Sequence, residues 1–438
     1  MSNQTNTTNV PAAPTNAKAP KCPLPYRHED LILIHATVPE VIQRTWTNNM
    51  EEWAKGVPMS QYHARERHLA STAFSSDNRL KTWVLVPKPD TEVTTEYKEW
   101  AATEDPEKGV RGGFDPQDVS EANLDRIMAA VETYERPGIM ATVGETEDGV
   151  LRDVNSVSVA SVYGPSKFRN HGYGKLMMKL LWKKIENMGA GFSFLYSDLG
   201  KQFYTNFGWT ARLSSEIVIP PSLTLPESAP ASQSQVALEP IVTEEELLPF
   251  TENDTRLLRQ TLKEKVQQKQ KEIEQNTSNG NTTFVAILPE IRCIEWLHAR
   301  AWFYAKEIRK FEEKNPKISI NKELTYGIHV SGKNDQFVLW HHDFTDDNLF
   351  ILRWRIDGAS SKEESDAIAL AFVAAAQKEA KKWNISKIVY WNGDVALAEL
   401  LGLEVQHRNH SICSLGLVNS DQDESSIEWI LNEKYSWC

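Results

Sequence analysis

The sequence predicts an α+β chain with mixed sheets, in which one order of strands and helices is used twice. Three observations predict it. The run Val157 to Val162 alternates like a strand, breaks at Gly164-Pro165, and passes through a glycine turn into helical spacing at Leu176, Met177, Leu180, Leu181 and Ile185. Residues 31 to about 219 read as β-α-α-β-β-β-α-β-α-β. After a proline-rich stretch at 220–250, much of that order returns.

The elements follow in chain order. Leu31 to Ala36 is a strand, and Thr37-Val38-Pro39-Glu40 has the spacing of a capping box. The helix behind it carries Val41, Ile42, Thr45 and Trp46 on one side. Ser60 opens a second helix through Tyr62, Arg65, Glu66 and His68, and Thr82 to Val86 is a strand. Residues 88–124 are a polar excursion, Arg126 to Glu135 a strand, and 136–150 a hairpin or loop. The strand that leads to the glycine turn begins near Asp153. Phe192 to Tyr196 is a strand, and Gly200 to Trp209 holds a short helix stopped by Gly208.

Prolines 220, 221, 226, 230, 240 and 249 lie among Ser, Ala and Glu, which reads as a linker or surface strap. Beyond it come a charged helix at 254–275 and a helix at 289–312 with Trp296, Trp302, Phe303 and Phe311. Strands are predicted at 326–330, 336–344 and 349–356, a helix at 362–383, a strand at 387–391, a short helix at 394–401 and a strand at 412–418. The domain plan is a disordered tail over 1–25, a first domain over 26–219, a linker over 220–250 and a second domain over 251–438.

A formal charge of −12 over 438 residues disfavours broad nucleic-acid binding and suits a small cationic partner. No apolar run is long enough to span a membrane, and residues 1–22 have neither the apolar core of a secretory signal nor the arginines of a presequence. Four scattered cysteines fit a reducing compartment, so a cytoplasmic location is expected. Neither His341-His342 nor His407-x-x-His410 has a third ligand at metal-site spacing, and no metal is expected. Nothing in the sequence speaks to oligomeric state.

Strand, glycine turn and helix start form a site for a pyrophosphate: backbone N–H groups converge there, and the helix dipole adds partial positive charge. A P-loop is excluded because Leu176 stands where Ser or Thr is needed, and no glycine stands five before Gly174. A dinucleotide turn is excluded because Arg169 occupies its first glycine position. The remaining pattern, Arg169-Asn170-His171-Gly172-Tyr173-Gly174, resembles motif A of the GNAT acyl-CoA N-acetyltransferases. Phe203-Tyr204-Thr205-Asn206-Phe207-Gly208-Trp209 is similar to their later Phe-Tyr-x-x-x-Gly-Phe/Trp segment. The resemblance implies a GNAT fold over 26–219 that binds acetyl-CoA. It implies a second, degenerate GNAT-like domain over 251–438, where Asp357-Gly358-Ala359-Ser360-Ser361-Lys362 replaces the glycine turn. An ordinary α+β domain whose order matches by accident is the alternative for that half.

The family's mode of binding implies that backbone groups of Ser161, Val162 and Tyr163 take the pantetheine, with an N–H near Val162 facing the oxyanion. It assigns Arg169, Asn170, His171, Gly172, Tyr173, Gly174 and Lys175 to the pyrophosphate. Pro165 stands four residues before Arg169 instead of the commoner three, which suggests a bulge or an extra residue. By the same resemblance Tyr204 protonates the leaving thiolate; packing on the cofactor is its other reading. A lysine-like amine near pKa 10.4 needs roughly 4 kcal/mol to be neutral at pH 7.4, so a base must take its proton. Glu132 is the first candidate, with Glu135 and Asp153 beside it. Trp46, Trp53 and Tyr62 are candidates for an acceptor wall or for core. N-myristoyltransferases, which are paired GNAT domains, use a terminal carboxylate as base, and by that analogy Cys438 could reach the site; the aromatic segment 429–438 is expected to dock.

His35-Ala36-Thr37-Val38-Pro39-Glu40-Val41-Ile42, Arg65-Glu66-Arg67-His68-Leu69 and Tyr435-Ser436-Trp437-Cys438 resemble the fungal lysine N6-acetyltransferases. This implies a small-molecule amine partner, free L-lysine, converted with acetyl-CoA to N6-acetyl-L-lysine in lysine degradation. The alternatives are another amine, such as a polyamine or a protein lysine, and a non-catalytic GNAT-like scaffold.

Overall fold

The computed structural model describes residues 23–104, 113–143, 150–226, 236–275, 282–314, 320–420 and 424–438. Most of the expected tail, and residues 227–235 of the expected linker, lie outside them. The first stretch runs β1 (Leu31–Ala36), α1 (Pro39–Trp53), α2 (Met59–Ala70), β2 (Leu80–Pro87), α3 (Thr95–Glu104), α4 (Glu121–Leu124), β3 (Ala129–Val143) and β4 (Arg152–Tyr163). It continues α5 (Tyr173–Asn187), β5 (Phe192–Ser197), α6 (Gln202–Thr205), β6 (Thr210–Ala211) and β7 (Ser215–Ile219). Next come β8 (Leu238–Ile241), α7 (Leu248–Glu274), β9 (Thr282–Ile287), α8 (Ile291–Phe303), α9 (Phe311–Lys314), α10 (Ile320–Glu323), β10 (Gly327–Val330), β11 (Gln336–Asp343) and β12 (Asn348–Ile356). The chain closes with α11 (Lys362–Lys382), β13 (Lys387–Trp391), α12 (Val395–Leu401), β14 (Gln406–His407), β15 (Ile412–Leu417) and β16 (Ile427–Ile430).

Two mixed sheets result, and they exchange strands. The first runs β1-β2-β3-β4-β5-β15-β6, with β9 added to the far end of β3 and β16 to β9. The second runs β14-β7-β13-β12-β11-β10-β8. Thus β15 lies antiparallel beside β5, from Ile412↔Ser197 to Leu417↔Phe192, and β7 lies antiparallel beside β13, from Ile388↔Ile219 to Trp391↔Glu216. The sequence boundary near 219 therefore does not divide the sheets, because β7 buries Ile217 and Ile219 in the second core.

Several local expectations are corrected. No capping box forms at Thr37: α1 begins at Pro39, which has no N–H to be capped, and Val38 is the cap residue without a side-chain bond. The second helix begins at Met59. The excursion 88–124 contains α3 and α4, the latter capped by Ser120. The loop expected from 136 is strand as far as Val143. There β3 changes neighbours: β2 ends opposite Tyr134 and β9 begins opposite Gly138. Pro137, which has no N–H to donate, sits at that junction. The proline-rich stretch contributes β8 and the start of α7.

On one face of the first sheet, α5 packs Met177, Met178, Leu181 and Ile185 over Leu85, Val131, Val157 and Leu195. On the other face, Tyr134, Phe192 and Phe194 meet Trp296 and Leu297 of α8 and the buried Tyr435. The expected docking of the aromatic segment is thus observed, in a core shared by both halves. A buried ionic cluster joins β12 of the second sheet to α7 and to the segment after β16. Arg353 Nε and Nη2 donate to Asp254 at 2.5 and 2.8 Å, and Arg353 Nη1 donates to Glu433. Burial raises the Asp254 carboxyl, but Arg353 and Arg355 more than offset it and hold Asp254 below its usual range.

The exchanged strand fits only because two glycines meet. Gly208 has φ +105°, and a Cβ on Gly416 would lie 1.8 Å from the Gly208 carbonyl oxygen and 2.8 Å from the Trp182 ring. Gly416→Ala is therefore expected to destabilise the chain by about 3 kcal/mol, read as a lower midpoint in urea unfolding.

Candidate active site

The geometry starts at the end of β4. This strand runs parallel to β5 only from Ser156↔Phe192 to Val159↔Leu195, and then the two diverge. Residues 160–163 keep β3 as their neighbour on one side but have no partner strand on the β5 side. Their register with β3 jumps from Ala160↔Glu132 to Tyr163↔Ala130, which leaves Ser161 and Val162 in a bulge, with Ser161 at φ +52°. This bulge lies upstream of the Pro165–Arg169 interval, so it does not account for the extra residue expected there. Within the interval a short 3-10 turn at Ser166–Phe168 takes up the extra residue.

Below the open edge, Asn170 at φ +69° and Gly172 at φ +81° bend the chain into α5. The first α5 bond closes from Leu176 N–H to Gly172 C=O. Ahead of it, the amides of Gly174 and Lys175 have no acceptor within the helix. A Cβ at Gly174 would meet nothing within 4 Å, whereas one at Gly172 would come within 3.0 Å of His28 Cε1. His28 Nε2 lies 2.8 Å from His171 C=O, and the Tyr173 hydroxyl donates to Tyr26 C=O at 2.8 Å, so both side chains anchor the loop from behind. A free strand edge followed by an amide-lined helix start fits pantetheine and pyrophosphate in series.

Arg169 turns away from that cradle. It bonds Glu52 at 2.8 Å and Gly164 C=O at 3.1 Å, and Tyr163 donates its hydroxyl to Glu51. The Tyr163 bond, followed by the Arg169 charge, holds the Glu51 carboxyl below its usual range.

Glu132 faces the bulge from β3. It is 7% exposed, accepts a bond from Ser161 Oγ at 2.7 Å, and also interacts with the Trp46 side chain. Burial, then the nearby Glu66 charge, raises its pKa from 4.5 to about 7; Ser161, Trp46 and Arg65 pull the other way. The other two carboxylates are engaged elsewhere: Glu135 with Lys81 and Asn155, and Asp153 with Arg259 at 2.5 Å. Tyr204 is 5% exposed in the α5 core, where burial and then Asp198 push its phenol up. Trp46 and Tyr62 pack together, and Trp53 lies 6.0 Å from the Tyr163 ring. Cys438 Sγ lies 3.2 Å from Ser158 Oγ on β4, three residues before Ser161.

The sequence did not single out the second half's contribution to this space. Arg65 Nη1 donates to the Tyr304 hydroxyl at 2.6 Å, and Arg300 lies 5.1 Å from the Tyr304 ring and 5.8 Å from Trp437. Arg65 and Tyr304 are 239 positions apart, so no local spacing could announce the contact.

The second sheet repeats the divergence. β12 runs parallel to β13 only from Asn348 to Ile351. Its turn is closed by its own carboxylate: Glu364 accepts from Ser360 N–H at 2.7 Å, and Ser361 Oγ accepts from Glu364 N–H. With Glu363 also in the first turn of α11, that helix start repels a phosphate. Among the described residues no group of three or more His, Cys, Asp or Glu could hold a metal ion, and no helix is long and apolar enough to cross a membrane.

Gly174→Asp tests the cradle, because its two effects have opposite signs. A carboxylate in the first turn favours the helix, so melting should not fall. Acetyl-CoA affinity, measured by calorimetry, should drop about 100-fold, near 2.7 kcal/mol.

The chain is similar to several known proteins. Residues 222–438 match the family model described as the LYC1 GNAT-like C-terminal domain. A lysine acetyltransferase from Yarrowia lipolytica (strain CLIB 122 / E 150) is 22% identical over 460 residues, covering 92% of this chain and 98% of that protein. Among solved structures, a GCN5-related N-acetyltransferase from Kribbella flavida is 14% identical, covering 89% of this chain and 72% of its own, with a TM-score of 0.45. Saccharomyces cerevisiae N-myristoyltransferase with bound myristoyl-CoA is 9% identical, covering 92% and 81%, with a TM-score of 0.46. Residues 222–438, just under half of the chain, are thus similar to the LYC1 GNAT-like C-terminal domain.

Proposed function

We propose that the chain acetylates the side-chain amine of free L-lysine, giving N6-acetyl-L-lysine and CoA, a cytoplasmic step of lysine degradation. The observation that carries this reading is Glu132: a buried carboxyl with a pKa near neutrality, held by Ser161 Oγ at the bulge where β4 leaves β5. A base of that strength is matched to taking a proton from an ammonium at physiological pH. The lysine acetyltransferase name of the Yarrowia lipolytica relative supports the choice of acceptor.

In this reading residues 26–219 form the catalytic domain, 220–250 the linker and 251–438 the degenerate partner domain. Ser161, Val162 and Tyr163 offer backbone groups to the pantetheine, and an N–H near Val162 faces the developing oxyanion. Residues 170–175 hold the pyrophosphate through main-chain N–H groups, while Arg169, whose own N–H bonds Ser166 C=O, leads the chain into the turn. Glu132 accepts the amine proton. Tyr204, kept protonated by burial, donates to the departing thiolate.

Screening free amino acids and polyamines with acetyl-CoA, with thiol release as readout, tests the acceptor: lysine should lead, and a polyamine in its place would overturn the reading. The base has its own signature. The logarithm of kcat/KM for lysine should rise with unit slope to about pH 7 and then level off, and Glu132→Gln should lower kcat at least 100-fold and erase that bend. The same substitution should stabilise the fold at alkaline pH. A carboxyl whose folded pKa lies above its unfolded value loses about 3 kcal/mol of stability between pH 4.5 and 7. The stability gap between Glu132→Gln and wild type should therefore open between pH 5 and 8 in urea titrations. Tyr204→Phe should cut kcat by about 100-fold with KM for acetyl-CoA within threefold; unchanged turnover would reduce Tyr204 to packing.

A further inference from the structure

The second half has no amide cradle of its own, yet it reaches the acceptor side of the first. A series of neighbours runs from the bulge to the second half. Ser161 bonds Glu132, Glu132 feels the Arg65 charge, and Arg65 bonds Tyr304. Arg300 lies over Tyr304 and beside Trp437, and Trp437 packs in the same cluster as Ala160, the residue before Ser161.

Two guanidinium groups stand in this series, and their engagement differs. Arg65 is committed: Nε and Nη2 both bond Glu66, and Nη1 bonds the Tyr304 hydroxyl. Arg300 is held by aromatic faces, and its ion pair with Asp343 spans 3.7 Å, beyond hydrogen-bond range. Asp343 is also shared, because His341 and Lys434 act on it as well as Arg300. Arg300 thus keeps donor capacity at a half-buried position, with its side chain 15% exposed. A planar fork in a low-dielectric, aromatic setting is the group that binds a carboxylate in two-point fashion.

We propose that Arg300 binds the α-carboxylate of the acceptor and so makes the enzyme selective for a free amino acid over a simple amine. The inference rests on the lysine reading above. It gives the partner domain a task at the catalytic centre: the first half supplies cofactor site and base, the second supplies the specificity residue. Arg300 acts on binding, so its loss appears in KM rather than in turnover.

The experiment compares L-lysine, lysinamide and cadaverine as acceptors for the full chain and for Arg300→Gln and Arg300→Lys. For the wild type, kcat/KM should be 10- to 100-fold higher for lysine than for either analogue without a carboxylate. Arg300→Gln should raise KM for lysine by the same factor, leave kcat within threefold and leave cadaverine kinetics unchanged; Arg300→Lys should recover part of the loss. A parallel fall for lysine and cadaverine, or no change for either, overturns the proposal. If Arg300→Gln does not fold, the wild-type series still decides: equal kcat/KM for lysine and cadaverine overturns it. A wild-type chain that acetylates none of the three overturns the lysine reading, and this inference with it.

Discussion

Four residue pairs hold β4 against β5, and the site exists because the pairing stops there. Had it continued, the backbone groups of residues 160–163 would be spent on a neighbouring strand. Divergence leaves them as an open edge that ends where α5 begins. The bulge at Ser161 and Val162 adds a second effect, since it turns Ser161 Oγ toward Glu132 across the β3–β4 pair. The open strand edge and the Ser161–Glu132 contact are thus consequences of one interruption in a parallel ladder, just ahead of the amide-lined turn.

Much of this could be read along the chain, because local chemistry governs it. The turn from Arg169 to Gly174 needs positive φ at Asn170 and Gly172, residue types that tolerate it, and so leaves a mark in the sequence. The strand order of the first half was legible from alternation, and Glu132 from its place in the third strand. What escaped depends on distant partners. Pro137-Gly138 looked like the end of a strand, since nothing nearby reveals that β9, about 145 residues later, takes over from β2. Nor could alternation tell that β7 and β15 change places, because a buried strand reads alike in either sheet. Arg300 and Tyr304 carried no signal for the same reason. Arg169, the most conspicuous residue of the turn, engages Glu52 rather than the cradle.

The two halves show one architecture under opposite electrostatic rules. Each has a parallel pair that parts after four residues and a helix that crosses back. In the first, glycines leave the amides at the helix start open to an anion. In the second, Ser360, Ser361 and Glu364 satisfy them internally. The second half is built into the first through the pairing of β7 with β13 and of β15 with β5, and through the aromatic segment around Tyr435.

The exchange of β7 and β15 also sets the order in which the molecule can be assembled. β5 finds its outer neighbour more than 200 residues downstream, so the first sheet stays incomplete on the ribosome until most of the second half has emerged. Neither half can then fold as an autonomous unit during synthesis, and long-range closure of this kind is slow because loop entropy must be overcome before the contacts form. The nascent chain exposes an unpaired β5 edge throughout that interval, which makes it a natural client for chaperones.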